Sequence, residues 1–158
     1  MTRKHLMRLL VIFAATPLLA AFGFGQPKAA PPNKPCHEDT PLCSTRIKSD
    51  YSTIAAYVKN LKPGSTVSFN PQPDPPGDPS PLYRTAMTAY QRLQDDLYDL
   101  SKFPPGPCKQ GTCHDAIERA NSQFGLLGQA SDRKSLDSAM AAMKPCIRQL
   151  SKTLPTER

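Results

Sequence analysis

The residues Leu127-Gly-Gln-Ala-Ser131 decide the fold. Apolar side chains recur at helical spacing on both sides of them: Cys113, Ala116, Ile117, Ala120, Phe124 and Leu127 before, then Leu136, Ala139, Met140, Met143, Ile147 and Leu150 after. Two helices joined by so few residues must run antiparallel as a hairpin. Thr112 and Ser131 are placed to cap the two helices, with Asp115 completing the first cap, and Gly128 to stop the first of them. The expected spans are 113–127 and 132–152. Pro145 should kink the second helix or split off its last turns, because it lacks a donor and its ring crowds the carbonyl four residues back.

Upstream, Ser80 and Pro81 have the cap and first-turn chemistry of a helix start. Leu82, Ala86, Ala89, Tyr90, Leu93, Leu97 and Leu100 then form one stripe of a helix over 81–102, stopped by Phe103-Pro-Pro-Gly-Pro107. Asp95, Asp96 and Asp99 are expected on its solvated side. A first helix over 44–61 follows from Ile47, Tyr51, Ile54, Ala55, Val58 and Leu61, and Pro63-Gly64 ends it. Between these two helices, the prolines at 71, 73, 75 and 76 make 67–79 a stiff crossover without backbone donors. Its Asn70 to Gly77 core resembles proline-rich tags found in bacterial exported proteins. The fold class is thus all-α: a small four-helix bundle, disulfide-stapled, with a long proline-rich crossover between the first two helices.

The first eight residues carry Arg3, Lys4 and Arg8 and no acid, and an apolar run with small residues at its end follows to about Gly25. That is the layout of a secretory signal peptide. Residues 1–25 are read as that leader, 26–42 as a proline-rich spacer, 43–153 as the helical domain and 154–158 as a tail. Pro17 and the glycines speak against a retained anchor, so no stable membrane span is expected after cleavage. The leader holds three of the 20 basic residues and none of the 13 acidic ones, so removing it lowers the net charge from +7 to +4. A charge this small lacks the dense basic face of a nucleic-acid binder.

Export permits disulfides, and Cys36, Cys43, Cys108, Cys113 and Cys146 read first as a structural framework. Measured from a hairpin midpoint near 129.5, Cys113 and Cys146 stand 16.5 residues away on either arm. They should arrive at one level and pair, which in the chain-entropy model contributes roughly 3 to 4 kcal/mol. Cys36 with Cys43 is the second expected bridge. That leaves Cys108 unpaired, or an alternative partner for Cys43, and the odd thiol allows a disulfide-linked dimer.

Two metal readings compete with the staples. Cys108, Cys113 and His114 resemble the longer-spaced variant of the covalent haem-attachment motif of multihaem c-type cytochromes, a resemblance that implies thioether bonds to both sulfurs and iron ligation by the histidine. His114 and Glu118, four apart on one helical face, are the start of a zinc or copper set that Cys108 or His37 would complete. Against these, the simpler expectation is no metal and no cofactor, with Met140 and Met143 in the core rather than on iron. No nucleophile–base pattern is present, so the chain is not expected to be an enzyme. What remains is binding. Lys144, Arg148 and Lys152 at i, i+4 and i+8 form a basic stripe suited to an acidic protein or an anionic envelope polymer. The functional expectation is a non-catalytic exported binding protein of inhibitor, immunity or accessory-subunit type. A single-haem electron carrier is its alternative.

Overall fold

The computed structural model describes residues 34–69 and 80–155. Residues 1–33, which include the expected leader over 1–25, residues 70–79 of the expected proline-rich crossover and residues 156–158 lie outside the described residues. Among the described residues four helices follow one another: α1 (Thr40–Asn60), α2 (Pro81–Lys102), α3 (Gly111–Gln129) and α4 (Arg133–Thr153). A 3-10 turn at Gly106–Cys108 links α2 to α3. Each helix packs on the next, and α4 closes the ring against α1.

All neighbours run antiparallel. Arg46 near the start of α1 meets Asp96 near the end of α2, whereas Tyr57 near the end of α1 meets Tyr83 near the start of α2. Across the closing seam, the Tyr51 hydroxyl donates to the Met140 carbonyl at 2.8 Å, and Arg133 donates to the Leu61 carbonyl. The protein is therefore a disulfide-containing, all-α four-helix bundle, with its inward stripes, Met140 and Met143 included, in a single core.

Several boundaries differ from the expected ones, each for a local reason. Helix α1 begins at Thr40 rather than 44, because the Asp39 carboxylate accepts from the Leu42 N–H and Pro41 lies in the first turn, where its missing donor costs nothing. The stretch expected as spacer to residue 42 thus contributes a helical turn. Helix α3 begins at Gly111 behind Gln110, which makes no side-chain cap; Thr112 and Asp115 are inside the helix. Helix α4 is capped by Asp132, one residue after Ser131, in a reciprocal box with Ser135. The backbone N–H of Ser135 holds the Asp132 carboxyl below its usual range. Helix α4 also continues through Pro145 to Thr153, with Ile147 and Leu150 buried beyond the proline. Packing of those two side chains offsets the single lost backbone bond, so no separate terminal helix forms. Leu154, assigned to the tail, is core.

The other misreading is Gly128, which does not stop α3. The helix continues to Gln129, and a Cβ on Gly128 would come within 2.7 Å of the Tyr90 hydroxyl. Tyr90 is stacked between Phe69 (centroids 5.2 Å apart) and Phe124 (4.6 Å), so it has little room to yield. The glycine lets α2 and α3 approach. Gly128→Ala is expected to destabilise the protein by about 1 kcal/mol, overpacking outweighing the helix propensity gained. Removing the hydroxyl with Tyr90→Phe in the same chain should recover most of that loss in urea denaturation.

Candidate functional site

The antiparallel order brings the start of α1, the end of α2, the start of α3 and the end of α4 to one pole, and the cysteines gather there. Cys36 is bonded to Cys43 across the turn that enters α1. Cys108 is bonded to Cys113 across the turn that enters α3, which Gly111 makes with a positive φ of 74°. Cys146 is the free thiol.

The expected Cys113–Cys146 bridge is therefore corrected, and so is the assignment of the odd thiol to Cys108. Because α3 runs on to Gln129 and α4 starts only at Arg133, the hairpin is centred near residue 131, which sets Cys146 level with Ala116 rather than Cys113. It is also turned aside: Cys113 is buried, while Cys146 is half-exposed and its Sγ lies 3.7 Å from the Ala142 carbonyl of its own helix. Alkylating the denatured, unreduced protein is expected to place one label per chain, on Cys146. A label on Cys108 in a peptide map would contradict this pairing. The haem reading loses its chemistry on the same grounds, since both sulfurs needed for thioethers are joined to each other. His114 is half-buried and Glu118 exposed, and among the described residues neither is grouped with other ligands that could hold a metal.

The densest chemistry at this pole lies on the α1–α2 seam, where three acid–base pairs stack in register. The His37 backbone N–H donates to Asp99 at 2.9 Å, and its Nδ1 stands 2.8 Å from the same carboxylate. Arg46 makes a fork-to-fork pair with Asp96, its Nε donating at 2.7 Å. Arg92 makes a second fork with Asp50, whose side chain is 1% exposed. Arg46 does more than pair: its guanidinium also donates to the Lys34 carbonyl at 3.1 Å and lies 3.4 Å from the Cys36 Sγ. It thereby ties the disulfide loop, α1 and α2 together. Burial pushes the Asp96 carboxyl above its usual range, against the pull of Arg46; the bond to Asp96 in turn raises Arg46.

The expectation that this protein has no metal-ligating set and no cofactor is overturned here. The Cys36 Sγ, the Cys43 Sγ and a carboxylate oxygen of Asp96 all lie within 4.8 Å of one another, on three buried residues, a grouping that could hold a metal ion once the bond between the two sulfurs is reduced. A cleft of about 190 Å³ opens beside it, lined by Cys36, Arg46 and Asp96 among others. Asp96 is not on the solvated face expected for it. It lies inward because it stands three residues from Leu93 and four from Leu100, on the apolar stripe of α2. Asp50 holds the corresponding place between Ile47 and Ile54 on α1. Carboxylates on an inward stripe, matched by arginines four residues away, were the signal for this site.

Lys144, Arg148 and Lys152 are exposed along α4, since Met143, Ile147 and Leu150 take the inward positions. Arg148 is close enough to Tyr51 to offset part of the rise that burial imposes on its phenol. Among the described residues, no helix is long and apolar enough to cross a membrane. No protein-family model, no curated protein and no solved structure matches the chain.

Proposed function

We propose that the protein is an exported, non-catalytic binding protein whose α4 surface recognises an acidic protein or an anionic polymer of the cell envelope. The observation that carries this reading is the exposure of Lys144, Arg148 and Lys152 on one face of a helix held in place by the core. Three cations at successive turns present a linear positive strip roughly 12 Å long, from the rise of a helix. A strip of that kind matches a row of carboxylates or phosphates better than a single small anion.

The leader and the two disulfides support export, because such bonds persist where thiols are not kept reduced. Both staples close short loops at the pole where α1 and α3 begin, next to the last turns of the basic helix. They fix local geometry rather than cross-linking distant helices. The half-exposed Cys146 lies two residues from both Lys144 and Arg148, which turns it to a different side of α4, so a disulfide-linked dimer through it would leave the basic strip open.

The test uses the chain expressed with its leader. A fused reporter active only outside the cytoplasm should report export. The purified protein should bind an envelope fraction in a salt-sensitive way, and reversing Lys144, Arg148 and Lys152 to glutamate should cut that binding by about tenfold or more, as expected for losing several charge contacts. Retained binding in that variant would refute the α4 surface.

A further inference from the structure

We propose that Cys36, Cys43 and Asp96 form a redox-gated site for a zinc-class divalent cation, closed while the two sulfurs are bonded and opened when a dithiol reduces them. The two cysteines have Cα atoms 5.0 Å apart, and Asp96 comes from a different helix, so the three donors approach one point from two directions. Thiolates at about 2.3 Å and a carboxylate oxygen at about 2.0 Å suit zinc. The mixed set separates zinc from copper(I), which favours sulfur donors throughout. The adjoining cleft leaves room for water as a fourth ligand.

Charge balance argues for the same ion. Reduced and deprotonated, the site holds two thiolates and one carboxylate, a formal charge of −3, beside the guanidinium of Arg46. A dication and Arg46 together neutralise it. A monovalent ion would leave one net negative charge among residues that are almost fully buried, a costly arrangement. Arg46 is thus a positioning residue: it orients Asp96 through both oxygens and lies against the Cys36 sulfur, where it favours the thiolate.

The reaction balances as follows. One thiolate of the dithiol attacks a sulfur of the Cys36–Cys43 bond, giving a mixed disulfide and one cysteine thiolate. Its second thiol displaces the other cysteine, so the dithiol leaves as a cyclic disulfide, having delivered two electrons and two protons. The dication then binds both sulfurs and releases those two protons. Exchange with an external disulfide reverses the sequence: it takes up the two electrons and leaves as thiols, the Cys36–Cys43 bond re-forms and the ion is expelled.

The test uses the full chain, reduced with a phosphine under anaerobic conditions and incubated with Zn2+ before alkylation and peptide mapping. Zn2+ is expected to slow labelling of Cys36 and Cys43 by about tenfold or more, as metal ligation removes the free thiolate, and to leave Cys146 unaffected. Co2+ should give thiolate charge-transfer and tetrahedral ligand-field bands. These should be weakened about tenfold in affinity by Asp96→Asn and absent from the Cys36→Ser, Cys43→Ser double variant. Protection confined to Cys108 and Cys113, no protection at all, or bands that survive the double variant would each overturn the proposal. If the reduced chain loses helix, restoration of helicity by Zn2+ supports the site, and failure to restore it counts against it.

Discussion

Arg46→Ala is expected to destabilise the protein by about 3 to 5 kcal/mol near neutral pH, the range for leaving one member of a buried ion pair without its partner. The Arg46 and Asp96 side chains are 13% and 9% exposed, so water cannot replace the lost contact. The same cut frees the Lys34 carbonyl and the disulfide loop from their donor. By contrast, Arg92 is 44% exposed at the parallel pair, and its removal is cushioned by solvent on one side.

The sign of the pH dependence follows from Asp96. Burial already raises its carboxyl in the folded protein, and Arg46 opposes that rise. A group with a raised folded pKa favours the folded state at low pH, and that advantage disappears as pH climbs through the raised value. Without Arg46 the rise is larger. The gap between Arg46→Ala and the parent should therefore be smallest below about pH 4, where the carboxyl is protonated in both states, and should widen toward neutrality. Urea midpoints at acid and neutral pH measure it, and Asp96→Asn in the Arg46→Ala chain should recover part of the neutral-pH loss. An equal loss at both pH values would show that Asp96 is not the source.

Phe69→Ala is expected to cost a similar amount, about 3 to 5 kcal/mol, the range for truncating a fully buried aromatic. Phe69 belongs to no helix, yet it is 0% exposed. Its ring stacks on Tyr90 at 5.2 Å with a 10° tilt and receives Tyr57 edge-on at 5.9 Å, so it joins α1 to α2 from the loop between them. Losing it also loosens the anchorage just upstream, where the Val67 N–H donates to the Ser131 carbonyl. Phe69→Leu, which keeps much of the volume, should lose under half as much. The near-ultraviolet dichroism of the tyrosines should fall with the alanine variant while the helical signal at low temperature is kept.

These two residues mark where reading the sequence stops. The four amphipathic stripes were legible because helical spacing is a local property, and α2 matches its expected span residue for residue. Phe69 was invisible for the opposite reason: no periodicity surrounds a single aromatic in a proline-rich loop, and only the assembled α1–α2 groove shows where it goes. The cysteines failed on arithmetic. A count along two helices finds the level of each sulfur only if the turn is located to within a residue, and it says nothing of rotation about the helix axis, which is what turns Cys146 away. Asp96 differs from expectation, and Asp50 goes unnoticed, because acidity outranks position in a reading of the sequence alone. On stripes that are otherwise apolar, position decided, and the arginines supplied what the core could not.

The Thr40 hydroxyl donates to the Pro155 carbonyl at 2.7 Å, joining the first residue of α1 to the segment just past α4. The helices thus have a cyclic order with no natural beginning: each has the same two flanking partners wherever the polypeptide is nicked. A circularly permuted gene, with 155 joined back to 34 by a linker so that the Cys36–Cys43 staple is kept, and new termini placed in another connection, would encode the same arrangement of neighbours.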